Sequence, residues 1–282
     1  ITRKIDFQDW LLFTFSPVAF LFPIYNFDAY GRKDVFLVLI FMIVFLMVLK
    51  KVKWSILVPS TLILYEIGVL IHEYALFYFP FVVILIFIVY NNRPKRDLYL
   101  FSILSLAFLL GNLGWLYALS RHYYNLDLIP QSWEGLIEDY HLTIQTGAFG
   151  WLGVPLKEGL QPVFDKLSYP QTFFSYLAGM ALSAIPMVLL NARYHILNKV
   201  SEFLEDRKGL LVFSVILLLS TMTIFIFSSD WGRLAYLYGF NIYLSLVVLK
   251  EHFSCEDSVA GSTVLSGYQT VQWIAFFILF TG

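Results

Sequence analysis

The stretch WSILVPSTLILYEIGVLIHEYALFYFPFVVILIFIVY, Trp54 to Tyr90, decides the fold. Its 37 residues are apolar almost without break, and the pair His72-Glu73 sits near the middle. As one helix it would run about 55 Å at about 1.5 Å per residue, against about 30 Å for the hydrocarbon core of a bilayer. Two spans that reverse at His72-Glu73 are therefore expected. The charges flanking the stretch then decide which side of a membrane the pair faces.

The rest of the chain is built in the same way. Hydrophobic residues make up 59% of it and charged residues 14%, too little polar surface to cover a soluble globule, so an integral membrane protein is expected. A formal net charge of -1 gives no basic surface for phosphate backbones, and no nucleic-acid partner is expected. The single cysteine, Cys255, excludes an intramolecular disulfide and a thiolate metal cluster. The chain starts at Ile1 and stops at Gly282 just after an apolar run, and its termini are expected to be incomplete.

Apolar segments lie near Leu11 to Tyr25, Val35 to Leu49, Trp54 to Ile71, Tyr74 to Tyr90, Leu98 to Leu119, Phe173 to Leu190, Leu210 to Phe227 and Leu234 to Leu249. Val264 to Phe280 makes a ninth if it spans. The expected fold is all-α and integral to the membrane: a single polytopic domain over 1–282 with about 8 to 9 transmembrane helices. Lys and Arg are retained on the cytoplasmic side. Placing Arg3-Lys4, Lys50 to Lys53, Arg93 to Arg96, Arg193 to Lys208 and Lys250 inside collects 13 of the 19 basic residues. The turn at Gly31-Arg32-Lys33-Asp34 counts locally against this orientation.

With that orientation His72, Glu73, His122, Glu134, His141 and Asp230 all reach the outer face. The extracytoplasmic loop, 120–172, is too long for a plain connection and too apolar for a disordered tether. Trp133, Leu136, Ile137 and Tyr140 recur at helical spacing within it, so an amphipathic helix lying on the membrane is expected, as a lid or as a structural cap. On the inner side, Asn198 to Gly209 reads as a short polar helix closed by the glycine.

Glu66 is the one carboxylate well inside a span, where an ionisable group costs about 2.5 to 3.5 kcal/mol unless it is partnered or faces water. Glu73 lies two helical turns on; if the helix persists, both carboxylates look the same way. His72 can share or relay a proton beside them. The same three residues also suit a bland turn whose polar side chains satisfy helix ends. A zinc-protease helix would need a second histidine where Leu76 stands, and His72, His122 and His141 have no ligand spacing, so neither a metal nor another cofactor is expected. In Ser229-Asp230-Trp231-Gly232-Arg233, Asp230 can cap a helix and pair with Arg233. Equally, the guanidinium fork of Arg233 suits a diphosphate at the membrane surface, and Arg121 can be a second clamp. Asn112, between Gly111 and Gly114, reads as an interhelical packing residue.

This outline resembles the bacterial polymerases of O-antigen and capsular polysaccharide. The resemblance rests on many spans, a large outer loop, Arg121, His72-Glu73 and the group Asp230-Trp231-Gly232-Arg233. It implies a metal-independent membrane glycosyltransferase or polymerase of the bacterial inner membrane. Its substrate would be a polyprenyl-diphosphate-linked glycan on the periplasmic or exterior side, with membrane lipid and other envelope-assembly proteins as partners. Glu73, His72 and Asp230 would then be catalytic, and Arg233, Arg121, Glu66 and His141 would bind substrate. Two other functions suit the same residues: a transporter with a path through Glu66, His72 and Glu73, and a non-catalytic subunit whose Glu66 pairs with a charge on a neighbour.

Overall fold

The computed structural model describes residues 34–120, 161, 164–165, 169–223 and 231–253. All regular structure among them is helical, as expected, in eight helices. These are α1 (Asp34–Leu49), α2 (Trp54–Ile71), α3 (Ala75–Val89), α4 (Lys95–Ser120), α5 (Pro170–Tyr194), α6 (Ile196–Glu205), α7 (Lys208–Met222) and α8 (Trp231–His252). The segments at Leu11 to Tyr25 and Val264 to Phe280, and the amphipathic stretch around Trp133, lie outside the described residues.

The decisive stretch folds as a helical hairpin. The Trp54 and Tyr90 rings lie 5.7 Å apart, those of Tyr65 and Phe79 lie 5.1 Å apart, and Gly68 abuts Ala75. These pairs are symmetric about position 72, or within one residue of it, which is the pattern of two antiparallel helices reversing there. Gly68 lets the arms meet beside the turn: a Cβ on it would come within 3.1 Å of the Ala75 Cβ and 3.4 Å of Ile40 Cδ1. The Tyr90 hydroxyl donates to the Val52 carbonyl at 2.9 Å and ties the two open ends together.

Helix α3 is the axis of the bundle, touching α1, α2, α4, α7 and α8. Nearly every residue from Ala75 to Val89 is buried, as suits a helix apolar on all sides. At its flank Phe41 of α1 packs on both Tyr65 and Tyr78, and the Tyr78 hydroxyl donates to the Leu234 carbonyl of α8 at 3.2 Å. The surrounding helices are apolar outside as well as inside: Leu39, Ile63, Ile103, Leu110, Ile216 and Leu219 are all exposed. By length and composition together, α2 and the Lys95–Ala118 part of α4 can each cross a membrane, while the apolar helices α1, α3 and α7 are shorter.

One end of the bundle is basic. There α1 closes on Lys51, left-handed at φ 50°, with Val52 N–H donating to the Met47 carbonyl and Lys51 N–H to that of Val48. This is a Schellman closure with lysine where glycine is usual. Arg93 lies over the Trp54 ring, and the buried Lys250 lies 4.2 Å from the centre of the Tyr194 ring. After α5 the chain turns through His195, left-handed at φ 51°, and the Asn191 side chain accepts from Leu197 N–H at the start of α6. Helix α6 ends at Glu205, and Gly209 falls instead in the first turn of α7. The expected closure by that glycine is thus corrected: the chain has already turned at Asp206-Arg207, where Arg207 N–H reaches the Leu204 carbonyl.

Candidate functional site

Helix α2 stops at Ile71 because His72 leaves helical geometry for an extended one, φ -157° and ψ 120°, while its N–H still reaches the Gly68 carbonyl at 2.8 Å. The carbonyls of His72, Glu73 and Tyr74 then accept from Ala75, Leu76 and Phe77, which starts α3. The reversal therefore costs few backbone hydrogen bonds, although only three residues separate the helices. It also removes the condition under which Glu66 and Glu73 would share a helix face, since the helix does not persist to Glu73.

Within the turn the two side chains part company. His72 is 4% exposed and Glu73 48%, with His72 Nδ1 only 3.1 Å from Glu73 Oε2, an ion-pair distance when the imidazole is protonated. The Tyr74 ring stacks on the imidazole at 4.1 Å between centroids, a contact that composition and spacing did not suggest. The result is a solvent-facing carboxylate backed by an oriented imidazole. Such a pair can take a proton from an approaching hydroxyl and spread the charge onto the ring.

Glu66 lies elsewhere, on the exposed flank of α2, where Oε2 accepts from Asn112 Nδ2 of α4 at 3.0 Å. Asn112 is thus more than a packing residue. Arg233 falls in the first turn of α8, at the end opposite Lys250, and its side chain is not among those described. Asp230, Arg121 and His141 lie outside the described residues. Among the described residues no group of three or more His, Cys, Asp or Glu side chains is placed to hold a metal ion.

Two apolar clefts lie away from the turn. One, of about 270 Å³, runs between α3, α7 and α8 and is lined by Phe81, Leu85, Leu218, Tyr238 and Leu246. The other, of about 160 Å³, lies between α3, α4 and α7 beside Val83, Ser105, Leu109 and Phe213. No protein-family model, no curated protein and no solved structure matches the chain.

Proposed function

We propose that the chain is a polytopic membrane protein of cell-envelope glycan assembly, acting on a polyprenyl-diphosphate-linked glycan at the non-cytoplasmic face of a bacterial inner membrane. The observation that carries the reading is the polarity of the bundle. Every lysine and arginine among the described residues except Arg233 sits in the α1–α2, α3–α4 and α5–α6–α7 connections or at the end of α8. Basic connectors stay in the cytoplasm, which sends the His72-Glu73 turn to the other side. The outward apolar faces of α1, α2, α4 and α7 support embedding, because soluble monomers rarely expose apolar patches beyond a few hundred Å². Counting the apolar segments outside the described residues, eight to nine spans result.

In this reading an acceptor hydroxyl attacks the anomeric carbon and Glu73 takes its proton. The new glycosidic bond forms as the bond to the phosphate oxygen breaks, and Arg233 with Arg121 holds the departing diphosphate. His72 shares the proton on Glu73, Asp230 orients Arg233, and His141 completes the polar lining, whereas Glu66, on the outward flank of α2, takes no part. The scheme requires no nucleotide and no metal. Support for the glycan chemistry comes from the resemblance in outline and from the acid-imidazole turn.

The test is polymer length in cells carrying Glu73→Ala or Arg233→Ala. Both variants are expected to leave the lipid-linked unit unextended, and full-length polymer in either rejects the assignment. Orientation is read separately with Glu73→Cys in a Cys255→Ser background. Labelling by a membrane-impermeant maleimide is expected in intact cells, and labelling only after permeabilisation reverses the topology.

A further inference from the structure

Glu66 faces outward from α2 among the exposed side chains of Ile63, Ile67 and Leu70. Asn112 holds it from one side only, with Nδ2 donating to Glu66 Oε2 and to the Phe108 carbonyl, so the carboxylate is steered along the α2/α4 seam. Beside it α4 presents Ala107, Gly111, Gly114 and Ala118 at intervals of four, three and four residues, all of them exposed. A Cβ built on Gly111 or Gly114 would meet nothing within 4 Å. A face of small residues is where a second helix comes close in a bilayer, and a carboxylate in hydrocarbon calls for a charge or donor opposite it.

We propose that this α2/α4 face seats a transmembrane helix of another protein, which brings a lysine or arginine to Glu66. Charge complementarity selects that occupant over a second copy. None of the apolar segments of this chain carries Lys or Arg in its interior, so two copies would set carboxylate against carboxylate. The proposal rests on the embedding in a membrane and is independent of the glycan chemistry.

The test uses the full chain in phosphatidylcholine nanodiscs and two labelled leucine-alanine peptides, one with a lysine at its centre and one with leucine there. Energy transfer is expected to show the lysine peptide associating at least about tenfold more tightly than the leucine peptide. Glu66→Gln should bring the two within about twofold of each other, since the amide keeps the shape and loses the charge. Gly111→Leu with Gly114→Leu should lower lysine-peptide association by about tenfold while helical content is unchanged. Equal binding of both peptides to the wild type, or a preference that survives Glu66→Gln, overturns the proposal. So does a disulfide-linked homodimer through Gly114→Cys in a Cys255→Ser background, which would assign the face to a second copy. A chain that stays out of the bilayer overturns the embedding itself, and with it both this proposal and the proposed function.

Discussion

Asn112 Nδ2 donates to Glu66 Oε2 across 3.0 Å and to the Phe108 carbonyl one turn back, so a single amide links α4 to α2. The partners stand 46 residues apart in sequence. Interhelical hydrogen bonds in membranes average about 0.6 kcal/mol and reach about 1.7. A double-mutant cycle of Glu66→Ala and Asn112→Ala should return a coupling in that range when unfolding is followed in bicelles. Strict additivity of the two changes would mean that the bond contributes nothing to stability.

Lys51 occupies a left-handed position that glycine fills without a Cβ penalty. Lys51→Gly is expected to stabilise the protein by about 1 kcal/mol, offset in part by the greater freedom of glycine when unfolded. A melting temperature that falls instead of rising would reject this account of the closure.

Burial lowers the pKa of His252, beyond the apolar part of α8, from its ordinary 6.5, and the Lys51 ammonium lowers it further. Its Nδ1 is buried and has no hydrogen-bond partner, so protonation would place a donor with nothing to receive it. Between the lowered native value and the unfolded one, the unfolded chain binds more protons. Stability is therefore whole above about 6.5 and declines as the pH falls below it. Melting curves of wild type and His252→Gln should diverge on acidification, with the wild type losing more, and Lys51→Gly should shrink the difference. Parallel curves would remove His252 from the pH response.

The apolar side chains of α3 and α4 are expected to respond differently. Leu85→Ala opens a cavity in the axis of the bundle and should cost at least about 2 kcal/mol. The exposed Leu110 should tolerate alanine, whereas Leu110→Lys should impair insertion by about 2.5 to 3.5 kcal/mol, measured as the fraction glycosylated in a translocon assay. Normal insertion of Leu110→Lys would argue against lipid around α4.

Gly68→Leu should separate the hairpin arms, at a cost of about 1 to 3 kcal/mol, because Ala75 and Ile40 already crowd the space a side chain would need. A neutral result in the same unfolding assay would show that the arms can slide apart without loss.

The hairpin was legible because length alone forbids one span between Trp54 and Tyr90, and because His72-Glu73 is the one polar interruption near its centre. The helices found at Trp54–Ile71 and Ala75–Val89 match that reading to within a residue. Environment was not legible. Leu85 of α3 and Leu110 of α4 are the same residue type within apolar runs, yet Leu85 is enclosed and Leu110 faces outward, and a leucine suits a protein interior and a lipid-facing surface alike. Glu66 and Asn112 each stand out in the sequence, but only the packing of α2 against α4 joins them. Gly209 misled because a glycine that follows a polar stretch marks a helix end only when the chain has not already turned.

Helix α3 has 15 residues, about 22 Å, whereas α4, starting from the same basic end, has 26, about 39 Å. In the proposed membrane, with a hydrocarbon layer of about 30 Å, the hairpin tip, about 27 Å up the 18 residues of α2, stops just short of the far boundary while α4 runs past it. In that reading the bilayer dips slightly at that corner, bringing water and headgroups to the exposed Glu73. Acyl-chain length then becomes a variable: thicker membranes deepen the depression and strain it, and thinner ones flatten it.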